Sequence, residues 1–277
     1  MNFLGHSLIS LEIDENINKE TLYGNFTGDF YKGLIERIKI SENLKEGIIL
    51  HRIIDKTSDR KENLLNELLV EKFGIFKGIV SDMYIDHFLS KNFYNLFNKN
   101  IDNIERKILN KVEENKNIFP KDFERTFNWL NDRNVMANYK DIDFLERAFQ
   151  GLAKNIRRGE ILNLAIAELK KNYNLFEEKS INEFFYVKNE SIKEFSKKDY
   201  TIFFVVVFFT FFLDNKMVIV VLVTLSMIVL LRLRISYEKF EEIFENYAPS
   251  IRKYNIYLGI LLSVQILIII LTVICIK

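Results

Sequence analysis

Val80-Ser81-Asp82-Met83-Tyr84-Ile85-Asp86-His87 sets two carboxylates and an imidazole in an otherwise apolar run. Asp82 and Asp86 are four residues apart, so on a helix they share one face. Ile79, Met83 and Tyr84 surround them with apolar groups. A buried carboxylate left without a partner costs several kcal/mol. These acids therefore require a cation, a proton or hydrogen-bond donors. A bound metal is one solution, and salt bridges to Arg52 or Lys77 are the other.

Upstream, His51-Arg52-Ile53-Ile54-Asp55 repeats the chemistry. His51 and Asp55 stand at i and i+4 of a helical pattern, so they could hold one ion together or form an intrahelical ion pair on a solvated face. The chain has three histidines, His6, His51 and His87. Imidazoles with carboxylates suit a divalent cation of intermediate hardness, such as manganese, iron or magnesium. His6 lies on a short apolar helix, where a core histidine is the competing reading. In Gly24-Asn25-Phe26-Thr27-Gly28-Asp29-Phe30, Asp29 is either a helix cap or a site carboxylate approached by backbone that only glycine permits.

The composition sets bounds. The 277 residues carry a net charge of +1, which argues against nonspecific nucleic-acid binding. One cysteine, Cys275, allows no intrachain disulfide. Two prolines, Pro120 and Pro249, leave long stretches free to be helical. The N-terminus lacks the basic segment of a signal peptide. Phosphate-loop, dinucleotide and serine-hydrolase motifs are absent from the sequence.

Amphipathic helical patterns continue over 61–73, 76–98, 100–117, 123–130, 138–153 and 161–173. Lys154, Arg157 and Arg158 form a basic cluster at a helix end. It serves either the helix dipole or docking of phosphate or an acidic partner. The organisation expected is a helical domain over 1–176, a charged helical linker over 177–199, and a membrane segment over 200–277. That segment reads as a helical hairpin, 200–231, with Asp214-Asn215-Lys216 at its tip, and a third helix, 256–276. Lys197, Lys198, Arg232, Arg234, Lys239, Arg252 and Lys253 assign the inner face, so the N-terminal domain is expected in the cytoplasm.

Taken together, the motifs resemble the acyl carrier protein phosphodiesterase family. The resemblance rests on Met1-Asn2-Phe3-Leu4-Gly5-His6, on Gly24–Phe30, on His51–Asp55 with Thr57-Ser58-Asp59, and on Asp82-Met83-Tyr84-Ile85-Asp86-His87-Phe88-Leu89. Tyr139, Asp143-Phe144-Leu145 and Gly151-Leu152-Ala153 extend it. It covers roughly residues 1–173. Gly5 stands where the family usually has alanine, and the segment after 200 has no counterpart in the family pattern.

The resemblance implies an all-α fold, a helical domain like that of the HD phosphohydrolases, and the apolar runs place a transmembrane helical region after it. It implies manganese, with magnesium or iron(II) as alternatives, and hydrolysis of holo-acyl carrier protein to apo-protein and 4′-phosphopantetheine. Metal ligands would be His51, Asp55, Asp86 and His87. Asp29, His6 and Asp82 would be catalytic, with Asp29 a further ligand or the base that orients water and His6 the acid that protonates the leaving serine. Acyl carrier proteins are acidic, which makes Lys154, Arg157 and Arg158 the expected docking residues. The expected location is the bacterial inner membrane, multi-pass, with no nucleic-acid partner. Two other readings remain: hydrolysis of a nucleotide or lipid phosphoester, and a non-catalytic membrane-bound partner binder.

Overall fold

A computed structural model describes residues 2–17 and 19–210. The described residues are all-helical, without a strand. The helices are α1 (Phe3–Ile17), α2 (Leu22–Phe26), α3 (Glu42–Ser58), α4 (Asn66–Phe73), α5 (Lys77–Lys91), α6 (Phe93–Phe97), α7 (Ile101–Glu113), α8 (Phe123–Arg133), α9 (Val135–Asn138), α10 (Ile142–Asn155), α11 (Ala165–Lys171) and α12 (Tyr173–Thr210). Short 3₁₀ turns, among them Gly28–Phe30 and Ile35–Arg37, join them.

The stretch that opened the sequence analysis forms the central helix, α5. Every residue from Met83 to Ser90 is buried, while Asp82 is only half-buried. The expected single helix over 76–98 is two, because Asn92 ends α5 and α6 starts afresh at Phe93. Tyr84 and Phe88 are fully buried, and Tyr84 packs edge-on to Phe149 of α10 and Phe176 of α12. Burial of such rings is the main apolar gain, and their edge-to-face contacts add to it. A second aromatic cluster joins Phe26, Phe30, Phe119, Phe123 and Phe127 over the outer side of α2.

Helices α2 and α3 cross at glycine. A Cβ on Gly24 would run into the Leu44 carbonyl, and one on Gly47 into the Thr21 carbonyl. Without side chains the two backbones touch, which brings residues 25–29 against the face of α3 that bears His51.

Buried carboxylates tie short helices together through their free N-terminal N–H groups, which need acceptors. Asp14 accepts from the backbone N–H groups of Thr21 (2.7 Å) and Leu22 (3.2 Å), where α2 begins. Glu105 does the same for Met136 and Ala137 in α9, each at 2.9 Å. Asp86 serves α1, as described below.

The expected boundary at 176 falls inside α12. One compact unit comprises α1 up to Asp14 together with Lys19–Phe195, and the chain from Ser196 belongs to a second unit. The stretch expected as a linker therefore carries core residues: Phe184, Val187 and Phe195 are buried. Two of its charges, Glu183 and Lys188, face inward in pairs. Glu183, fully buried, takes both guanidinium arms of Arg60 and the Leu64 N–H, and Lys188 bonds Glu12 at 2.9 Å. Among the described residues no helix is long and apolar enough to cross a membrane. Of the expected hairpin only 200–210 is described, as the end of α12, and the rest of 200–231 and all of 256–276 lie outside the described residues.

Candidate functional site

His6 on α1 and His51 and Asp55 on α3 form the metal-competent group among the described residues, their ligand atoms all within 4.8 Å of one another. His51 Nε2 lies 3.1 Å from one Asp55 oxygen, and His6 Nε2 lies 3.4 Å from the other. The two rings lie 4.6 Å apart. Asp29, on the 3₁₀ turn after α2, stands 3.6 Å from His51 Nε2 with 76% of its side chain exposed, so it forms the solvent-facing rim. Gly28 fits directly behind the His51 ring, whose Cβ, Cγ and Cδ2 occupy the place of any side chain there.

Asn25 orders this group, a role that its place in the Gly24–Phe30 motif did not reveal. Its backbone carbonyl receives His51 Nδ1–H at 2.9 Å. Its side-chain oxygen receives His6 Nδ1–H at 2.8 Å. The amide orientation follows from its other bonds, because Nδ2 donates to the His6 carbonyl (2.9 Å) and to Ser10 Oγ (2.7 Å). Both imidazoles thus hold their hydrogen on Nδ1 and present Nε2 to Asp55. Ligating histidines are commonly fixed this way, by a donor bond from the other ring nitrogen.

The flanking carboxylates attract a proton to His51 Nε2 as they would a metal cation, so the two compete for that place. Burial opposes charge on His51, but Asp29 and Asp55 outweigh it and raise its imidazolium to about 9. Burial likewise favours a neutral Asp55, yet His51 and His6 hold its carboxyl well below the usual range. Asp29 is lowered by His51, against the effect of its own burial. Burial pushes His6 down, with Asp55 opposing. Neighbouring carboxylates extend the negative face: burial, then the charges of Asp82 and Asp55, raise Asp59.

Not every expected site residue joins this group. Asp86 and His87 stand outside the group formed by His6, His51 and Asp55, and their polar atoms bond other partners. Asp86, fully buried, accepts the backbone N–H groups of Leu4 (2.9 Å), Gly5 (3.1 Å) and Asn2 (3.3 Å). It caps α1 from across the fold, one turn before His6. Burial pushes its carboxyl up to about 6, against the pull of those three donors. His87 donates from Nδ1 to the Tyr139 carbonyl, and its Nε2 accepts the Tyr173 hydroxyl, each at 2.7 Å. Burial lowers its pKa, so it is a neutral clasp between α5, α9 and α12. His6, expected as a proton donor, stands among the ligand candidates with both ring nitrogens engaged. Asp82 lies beside Asp59 on the acidic flank. Lys154, Arg157 and Arg158 are exposed where α10 ends, Arg158 in a left-handed conformation at φ 61°.

Two Nε2 atoms and a carboxylate, each ring anchored through its far nitrogen, are a donor set suited to a borderline or hard divalent cation. The carboxylates on the open side leave room for an anionic group that such a cation would attract.

An all-helical domain with a histidine–carboxylate centre open to solvent on one side is the class that fold and site define. Residues 1–187 match the profile of the acyl carrier protein phosphodiesterase family, and the chain belongs to that family. Two relatives, each named acyl carrier protein phosphodiesterase, come from Shigella boydii serotype 18 and Klebsiella pneumoniae subsp. pneumoniae. They are 24% and 25% identical over 184 residues, a stretch covering 64% of this chain and 90% of each relative. No solved structure matches.

Proposed function

We propose that the chain hydrolyses the phosphodiester between 4′-phosphopantetheine and the serine of holo-acyl carrier protein, at a divalent metal held by His6, His51 and Asp55. The observation that carries this reading is the pair of Nε2 atoms turned onto one carboxylate by Asn25, within a family match covering residues 1–187. Water adds to phosphorus, the bond to the serine oxygen breaks, and that oxygen leaves with a proton, giving apo-carrier and 4′-phosphopantetheine. The metal, manganese by the sequence reading, lowers the pKa of bound water and neutralises the phosphoryl oxygens when present. Asp29, exposed and 3.6 Å from His51, orients the water or completes the ligand set. Asp59 and Asp82 favour binding of a cation on the open flank.

The HD-phosphohydrolase likeness of the domain and its tethering to a membrane belong to the same reading. The apolar sequence of 200–231 and 256–276 supports the tether. Exposure of Lys154, Arg157 and Arg158 supports their attraction of an acidic carrier. The test is mass spectrometry of holo-acyl carrier protein incubated with the full-length chain and Mn²⁺. Loss of the phosphopantetheine mass, blocked by chelator and by His51→Ala, is expected. An unchanged carrier mass with metal-loaded, folded protein rejects the reading.

A further inference from the structure

We infer that residues 31–40, the strap that follows Asp29, form the surface on which the carrier protein lands. The inference rests on the reaction proposed above and on a geometric property of that reaction. The scissile phosphorus is three bonds from the serine Cα, through Oγ and Cβ. No flexible arm separates the carrier's backbone from the metal, because the pantetheine chain lies on the other side of the phosphorus. The carrier must therefore touch protein at the rim of the site, wherever else it is attracted.

The strap is that rim on the Asp29 side. It leaves the 3₁₀ turn at Tyr31 and runs to Ser41, where α3 begins. Its start is fixed to the site helix. Arg52, the neighbour of His51, donates from Nη2 to the carbonyls of Gly33 (2.8 Å) and Tyr31 (3.3 Å). Gly33 takes φ 89°, a turn that points the following residues outward. Leu34 is then 58% exposed, a large apolar side chain in a strap whose Lys32, Arg37 and Lys39 are also exposed. Three basic residues stand against one acidic residue, Glu36.

The charge pattern selects the partner. The site face carries Asp29, Asp55, Asp59 and Asp82, which repel an acidic protein. The strap supplies the compensating cations at the edge of that face, with an apolar residue at its centre. A cationic rim around an apolar anchor is the arrangement by which an acidic helical surface is held and oriented. Lys154, Arg157 and Arg158 then act at longer range, on approach rather than on contact.

The test uses the full-length chain and its Lys32→Glu/Arg37→Glu/Lys39→Glu variant, with Leu34→Ala as a second variant that leaves charge unchanged. Each is assayed for KM and kcat on holo-acyl carrier protein, for affinity to the same carrier in the metal-free state by fluorescence anisotropy, and for Mn²⁺ affinity by calorimetry. Expected are a KM and a Kd for the carrier raised at least tenfold by the triple variant and severalfold by Leu34→Ala. Mn²⁺ affinity and turnover of a small diester, bis(4-nitrophenyl) phosphate, stay at the wild-type level. Carrier KM and Kd unchanged in both variants overturn the inference, as does a loss seen only on reversing Lys154, Arg157 and Arg158. A wild type that binds carrier through the strap without releasing phosphopantetheine rejects the proposed reaction and leaves the strap as the carrier contact.

Discussion

Asn25 devotes its carbonyl, its amide oxygen and its amide nitrogen to two histidines and a serine. Asn25→Ala removes the acceptor that holds His6 Nδ1–H, while the backbone bond to His51 survives. Loss of such supporting bonds typically costs 10–100-fold in metal affinity, so a fall of about that size is expected on titrating the variant with Mn²⁺. Asp86→Asn tests the cap. The amide has one acceptor oxygen where the carboxylate had two, and some of the three N–H groups lose their partner. A destabilisation of about 1–3 kcal/mol follows, read by urea unfolding, with Mn²⁺ stoichiometry unchanged. If the variant instead binds no Mn²⁺, Asp86 is a ligand. The wild type also has a pH signature here. The folded pKa of Asp86, about 6, exceeds the unfolded value near ~3.9, so the native state binds the extra proton. Its contribution to stability is full below ~3.9 and declines as pH rises to about 6, by up to ~1.4 kcal/mol per pH unit. Asp86→Asn should lack that component, measured as the difference between the two proteins' unfolding free energies across this window. Sequence reasoning saw that Asp86 needed a partner and supplied a metal. In the structure Asp86 meets N–H groups 81 to 84 residues away, which helical periodicity does not reveal.

Helix α12 includes the stretch expected as a charged helical linker, yet Glu183 is fully buried and satisfied by Arg60, and Arg60 also lies 3.8 Å from the centre of the Tyr186 ring. Composition cannot distinguish a charge facing water from one facing its partner across a core. Arg60→Ala leaves Glu183 buried without its counter-ion, and removal of one member of such a pair costs about 3–5 kcal/mol. The expected result is a matching loss in chemical denaturation, largely relieved in the Arg60→Met/Glu183→Leu double variant. The His51–Asp55 pair on α3, by contrast, was legible, because both side chains sit on one helix at i and i+4. The α2–α3 crossing was half legible: the glycines of Gly24–Phe30 were noted, but their contact with Gly47 is tertiary. Gly47→Ala forces a Cβ toward the Thr21 carbonyl and the Gly24 Cα. A loss of about 1–3 kcal/mol is expected by analogy with overpacked cores, accompanied by weaker Mn²⁺ binding because α2 carries Asn25.

At the scale of the molecule, the proposed metal centre would link two distant parts of the fold, α1 and α3, so metal binding should stabilise the whole unit. A ligand at one hundred times its Kd adds about 2.7 kcal/mol. Chelation should therefore lower the melting temperature in scanning calorimetry, and His51→Ala should remove the response to Mn²⁺. The all-α class and the family were legible across residues 1–173, since they rest on helical spacing and ordered motifs. The grouping of His6 with His51 came from the family resemblance alone, because three-dimensional proximity across 45 residues leaves no mark in spacing. The α1 cap has one more consequence, for the order in which the chain is made. His6, Asn25, Asp29, His51 and Asp55 all leave the ribosome before Asp86, and Glu183 follows almost a hundred residues later. A nascent chain thus displays every proposed ligand before it owns the residue that fixes the first helix or the one that closes the last. Under the proposed metal reading, an ion bound in that interval would meet a chain whose first helix still lacks its cap.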